Sequence, residues 1–470
     1  MTKHRTRAIR CAILHFPVAT TSPEHDFCYY HDGLLIIKDE RITHLGDAAD
    51  LLAQWQTEHP ELSVEHHPGK LLIPGLIDSH VHFPQTEMIA SYGEQLLEWL
   101  ENYTFPTERK FADPDYAKHI AEAFLQQLWR NGTTTALAYS TVHTCAAEAL
   151  FRAADKRNML LITGKTCMDR HCPDYLQDSP ESAFEESQAL IAKWHNKGRL
   201  KYAITPRFAP TSTPAQLQAL GDLVAQHDDV FVQTHLSENQ AEIAWVQSLY
   251  PDAKDYLNVY EHYGLVTNRT VFGHGIHLNE DCWQRLAEHQ AIIAFCPRSN
   301  TFLGSGLFDL KTAERFGVAV ALASDVGGGD SFNMLRTQGE AYKVCQLQGF
   351  ALHPLRGLYM MTQGAACALG LANSAGNLNP GSHADFVLLD PEFNELTALR
   401  MQSRQQANRT NRTNRTNRTN RTQQTDPSQH SHHLAEDIIF ALSMLGDERA
   451  IVETSISGQP VYQRSAVDTE

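Results

Sequence analysis

No apolar run in this 470-residue chain approaches the roughly 18–20 residues of a membrane-spanning helix. Positive charge is in short supply too. Against 55 Asp and Glu stand 39 Lys and Arg, a formal net charge of −16, which argues against a general nucleic-acid binder. The nine cysteines (Cys11, Cys28, Cys145, Cys167, Cys172, Cys282, Cys296, Cys345 and Cys367) include no C-x-x-C pair. That odd, scattered set suits reduced thiols in a cytoplasmic protein and excludes a disulfide scaffold. The start, MTKHRTRAIRCAILHFP, lacks a small-residue cleavage site, so its apolar run reads as a first strand and not as a signal peptide.

What remains is a globular chain, 42% apolar, long enough for one large domain and an accessory one. Short strand-and-turn segments fill residues 8–46, and similar ones recur at 384–390 and 451–462. We expect a small β-sandwich built from both chain ends, residues 1–72 with 376–470, around a central domain of residues 73–375. The centre alternates strand-like runs with helical stretches. The runs are 71–77, 132–140, 160–169, 200–210, 230–238, 270–278, 291–300 and 318–327. Eight such units predict an α/β fold, a (β/α)8 TIM barrel with its site at the C-terminal strand ends. An open doubly wound sheet is the alternative. Residues 408–422 are five Asn-Arg-Thr triplets inside a low-complexity stretch of about 402–433. With almost no apolar content, the triplets read as a disordered insertion.

The organising stretch is LLIPGLIDSHVHFPQ, residues 71–85. His80 and His82, two apart, project to one side of a strand and can share a metal ion. Other predicted strand ends carry His235 in THLSE, His274 in GHGIH and Asp325 in ASDVGGG. Three histidines and a carboxylate suit a mixed nitrogen and oxygen shell with room for water. Glu238, three residues past His235, could take a proton from that water without ligating the metal. Each residue also has a bland reading; His274 could be a satisfied core histidine and Asp325 a helix cap.

The pattern resembles the amidohydrolase superfamily and, within it, the guanine deaminases. The motifs PGLIDSHVHFPQ, YGEQLLEWLENYTFPTE, YAITPRFAPT, THLSEN and SNTFLGSGLF carry the narrower likeness across nearly the whole chain outside 402–433. Departures are small, such as Arg298 in CPRSN. The resemblance implies hydrolysis of guanine to xanthine and ammonia. It implies one zinc per chain on His80, His82, His235 and Asp325, with His274 at the edge of that metal set beside the water. A single metal fits Thr205-Pro206-Arg207-Phe208, where two-metal members carry a bridging lysine. Catalysis would fall to Glu238, His274 and Asp325. Substrate contacts would come from Gln85, Arg207 and Phe208, with His82, His235, Glu238 and Asp325 at the reacting edge. Arg207 offers planar charged donors to the purine O6, Gln85 both donates and accepts, and Phe208 can pack on the ring.

The stretch 92–108 is apolar and aromatic (Leu96, Leu97, Trp99, Tyr103, Phe105) and could cover the pocket or simply pack between helices. The resemblance also implies a cytoplasmic homodimer in purine catabolism. Rival readings are an amidohydrolase acting on a related heterocycle, by deamination or dechlorination, and a metal-free scaffold. The scaffold would show gaps in the ligand set, and there are none. The H-x-E and P-C-x-x-C motifs of base-flipping zinc deaminases are absent.

Overall fold

The computed structural model describes residues 6–60, 63–93, 95–403 and 427–465. The chain opens with β1 (Thr6–His15), β2 (Cys28–Lys38), β3 (Arg41–Asp47) and β4 (Val64–Pro74). It then enters β5 (Leu76–His82), β6 (Thr133–Tyr139), β7 (Leu160–Gly164), β8 (Thr166–Cys167) and β9 (Leu200–Pro206). Next come β10 (Phe231–Leu236), β11 (Thr270–His274), β12 (Ile292–Phe295) and β13 (Ala319–Leu322). Finally β14 (Phe386–Leu389), β15 (Ile451–Ile456) and β16 (Gln459–Gln463) return to the first sheet.

That first sheet has seven strands in the order β16-β15-β14-β4-β1-β2-β3, so both chain ends meet in it. Alternation sets its two faces. Ile9, Ile13, Leu35, Ile37 and Leu72 bury one side, while Ala8, Leu34 and Ile36 pack on Trp55 of the helix Ala48–Glu58.

The second sheet is the barrel. Strands β5, β6, β7, β9, β10, β11, β12 and β13 pair in parallel in chain order, with β8 as a short addition to β9. Each predicted run supplies a strand, but the strands stop short of the runs' ends. Leu160–Asp169 is interrupted at Lys165, the tails after β10, β11 and β13 leave the sheet as loops, and those after β9 and β12 enter the short helices Ala209–Thr211 and Pro297–Phe302. Side chains such as Ile77, Leu137, Ile162, Phe231, Val271 and Ile292 fill the interior, as expected for a parallel sheet covered on both faces. Between β13 and β5 the barrel closes through other bonds. Ser79 Oγ donates to Leu322 O at 2.9 Å, Asp325 N to His80 O at 2.9 Å, and His82 N to Val326 O at 2.7 Å. The closure therefore runs through the residues that carry the candidate site.

Residues 71–77 are not one interrupted strand, as the sequence suggests. Leu71 to Pro74 finish β4, opposite Leu389 to Phe386, and Leu76 begins β5 opposite Thr133. Gly75 is the crossing point. A Cβ there would lie 2.0 Å from Thr134 Oγ1, so only glycine lets the chain pass so close.

Of the stretch 402–433, residues 402–403 are helical and 427–433 open the helix Pro427–Leu445. The Asn-Arg-Thr triplets lie outside the described residues. All nine cysteines are free, and no described helix is long and apolar enough to cross a membrane.

Candidate active site

Four of the expected ligands converge at the barrel's C-terminal rim. His80 and His82 Nε2 are 3.3 Å apart, and His235 Nε2, on β10, is 3.3 Å from His82 Nε2. Asp325 Oδ1, on the loop after β13, is 3.3 Å from both His80 and His82 Nε2. A tetrahedral ion with bonds of about 2.0–2.1 Å needs ligand-to-ligand edges of about 3.3–3.4 Å. These four edges match that spacing, so the donor set suits a metal ion; among the described residues His80, His82 and His235 form one group of metal-type donors, and His80, His274, Cys296 and Asp325 a second that shares His80. His235 Nδ1 donates to Arg207 O at 2.7 Å, which leaves its Nε2 lone pair facing the cluster. Burial pushes His82 down to about 4 and His235 well below the usual histidine range, so both are neutral donors. Burial alone would raise Asp325, but the imidazoles of His80, His82 and His274 hold it well below the usual carboxylate range.

His274 stands at the edge of this group. Its Nδ1 donates to Asn300 Oδ1 at 2.8 Å, and its Nε2 lies 3.4 Å from Glu238 Oε2 and 3.7 Å from Asp325 Oδ2. His274, Asp325 and Ser237 adopt left-handed backbone, with φ of 72°, 48° and 50°. Each such non-glycine residue costs on the order of 1–3 kcal/mol, and here each re-aims the chain as it leaves the sheet. Gly273 makes room for the cluster. A Cβ there would meet His80 Cε1 at 2.6 Å.

Glu238 is buried, and Ser305 Oγ donates to its Oε1 at 3.0 Å, which leaves Oε2 toward His274. Its backbone N–H donates to Glu242 Oε2 at 2.9 Å, and Tyr256 OH holds Glu242 Oε1 at 2.7 Å. Burial, with Asp325 adding to it, pushes Glu238 up to about 8; the charge of a bound cation would act the other way. The arrangement is a proton acceptor held in one orientation beside a metal-type donor set.

The other wall of the cavity carries Gln85, Arg207, Phe208 and Leu303. Leu96, Trp99 and Leu100, from a helical stretch with a π-turn at Leu100–Thr104, close it from above. From the stretch 92–108 these three residues line the cavity. Leu97 and Tyr103 pack against the surrounding apolar cluster instead of lining the space, and Tyr92 is exposed. A larger cleft near Tyr250, Lys254 and His277 contains none of the converging ligands.

Five residues with a place in this geometry were given no role by the sequence. Glu108 receives Arg207 Nη1 on both oxygens at 2.9 Å. Asn300, Ser305 and Glu242 fix His274 and Glu238. Asp78, fully buried, accepts from Ser324 N at 3.0 Å and from Ser324 Oγ, tying β5 to the loop of Asp325. It lies two residues before His80, but the register of β5 shifts between Asp78 and Val81, so alternation along the strand does not reveal its role. Among the described residues no lysine joins the cluster; fully buried Lys165 is bound to Asp178 at 2.9 Å and Glu186 at 2.7 Å.

The amidohydrolase family profile matches residues 71–420. The chain is 43% identical over 470 residues to guanine deaminase of Escherichia coli (strain K12), covering 98% of this chain and 99% of that one. The solved structure of E. coli guanine deaminase superposes with a TM-score of 0.87 at 42% identity, over 98% of this chain and all of that one. A guanine deaminase structure from Bradyrhizobium japonicum gives 0.85 at 35% identity, with coverage of 98% and 100%. The chain belongs to the amidohydrolase family, on its guanine deaminase branch.

Proposed function

We propose that the protein hydrolyses guanine to xanthine and ammonia. One observation carries this reading: metal-type donors, a buried carboxylate and a wall carrying Gln85, Arg207 and Phe208 face one another across a single cavity. His80, His82, His235 and Asp325 would hold one zinc per chain, which supplies Lewis acidity and makes a water nucleophilic near neutral pH. Glu238 takes the proton of the attacking water through Oε2 and passes it to the ring nitrogen beside C2. A C2–O bond forms; the remaining proton of that new hydroxyl is then carried to the exocyclic amine, the C2–N bond breaks, the amine leaves as ammonia and C2 becomes the carbonyl of xanthine. His274, fixed by Asn300, faces Glu238 and Asp325 and stabilises the charge that builds between them.

Arg207 donates to O6, Gln85 reads the ring-nitrogen edge and Phe208 packs on the purine face. Leu96, Trp99 and Leu100 keep bulk water out, which strengthens these contacts. We infer the same setting that the resemblance implies: a cytoplasmic enzyme of purine catabolism, working as a homodimer. A substrate panel tests the reaction. Ammonia should be released from guanine in preference to adenine, adenosine, cytosine and chlorotriazines; a preference for any of these assigns the site to another heterocycle.

A further inference from the structure

Arg207 lines the cavity, and Glu108, which does not, is buried against it; their side chains are 3% and 0% exposed. Both bonds between them use Nη1, so neither Nη2 nor Nε is spent on Glu108, and Arg207 still lines the cavity. Gln85 Nε2 also approaches Glu108 Oε1, at 3.4 Å, while its own Oε1 accepts from Gly327 N at 3.3 Å. A neutral amide at position 108 could accept one bond and orient Arg207 as well. What the carboxylate adds is charge. Without it the wall would hold an unpaired buried cation, which is costly by itself and attracts anions.

The reaction changes the acidity of its ligand. Guanine is neutral at neutral pH. Xanthine carries a second carbonyl at C2 and an N3–H, and it ionises close to neutrality. We propose that Glu108 is a specificity-determining residue that cancels the charge of Arg207, so that the cavity accepts neutral oxopurines and releases the anionic product. This rests on the guanine deaminase reading above. The other groups around the cavity, Glu238, Glu242, Asp325, His82, His235 and His274, stay constant when Glu108 alone is changed. Beside Glu108 in sequence, Arg109 lies over Tyr175 and Lys110 pairs with Glu87, both on the outside. Phe105, whose ring centroid is 5.6 Å from Arg207 Cζ, is uncharged.

The test compares binding of xanthine with that of hypoxanthine, a 6-oxopurine that remains neutral where xanthine ionises. Calorimetry on zinc-loaded enzyme reads binding without turnover, below and above the first ionisation of xanthine. In Glu108→Gln the affinity ratio should move toward xanthine by at least roughly tenfold above that ionisation and stay level below it, because the uncompensated Arg207 charge then attracts the anion. In Glu108→Gln with Arg207→Gln, which restores neutrality, the shift should vanish. Parallel weakening of both ligands at every pH would overturn the proposal, because it would make Glu108 a mere support for Arg207. Should the single variant fail to fold, the wild type decides: xanthine must bind more weakly as it ionises while hypoxanthine holds steady, and unchanged or tighter xanthine binding overturns the proposal. Failure of the wild type to release ammonia from guanine would instead count against the reaction assignment, and the binding data would still stand.

Discussion

The two halves of the cavity rest on different parts of the fold. His80, His82, His235 and His274 sit in β5, β10 and β11, where ladder bonds fix the backbone, and Asp325 is tied back to His80 O. Gln85, Glu108, Arg207 and Phe208 come from short helical turns and a strand-end bend. Metal ligation tolerates errors of only a few tenths of an ångström, so it is placed on strands. Recognition of a flat heterocycle can be placed on segments that vary, provided a rigid barrel carries them. Damage to the first half should therefore show in metal content, and damage to the second in KM.

The largest effect should separate chemistry from both halves. Glu238→Gln keeps the shape and the Ser305 contact but removes the base, and positioned acid–base groups are worth about 10²–10⁴-fold in rate. Its zinc content and guanine binding should match the wild type. A zinc-depleted variant rescued by added zinc would make Glu238 a support for His235. Next comes Gly273→Ala, aimed at the metal half. The new methyl must displace the His80 ring, so metal affinity should fall by about 10–100-fold, and excess zinc should restore much of the activity. Normal zinc affinity in this variant would mean that β11 yields where the packing says it cannot.

Arg207→Ala probes the other half. Loss of a charged donor to a buried carbonyl costs about 1.5–3 kcal/mol, so KM for guanine should rise roughly tenfold or more while zinc stays bound; a fall in zinc content would blur the division between the halves. The smallest effect is expected from deleting residues 408–422. Activity and Tm should hardly change, and a clear drop in either would show that the triplets pack on the enzyme.

Much of the metal half was legible because its logic is local. Histidines two apart must share a strand face, and each remaining ligand follows a strand-like run within a few residues. The purine half was legible only in part. Arg207 and Gln85 suited a purine by their chemistry, but Glu108 gains its meaning from a partner 99 positions away. The Asp78 bond to Ser324 spans 246 positions, and no periodicity reveals such pairs. Residues 71–77 misled for the opposite reason. Two apolar segments that belong to different sheets abut at Gly75, and composition alone cannot divide them.

The central claim is that one metal ion, held by four ligands at the strand ends, serves guanine hydrolysis. Metal-free enzyme titrated with zinc while ammonia release from guanine is followed tests it most directly. Activity should rise linearly and level off at one zinc per chain. A plateau reached only at two, or activity already complete before zinc is added, would contradict the account.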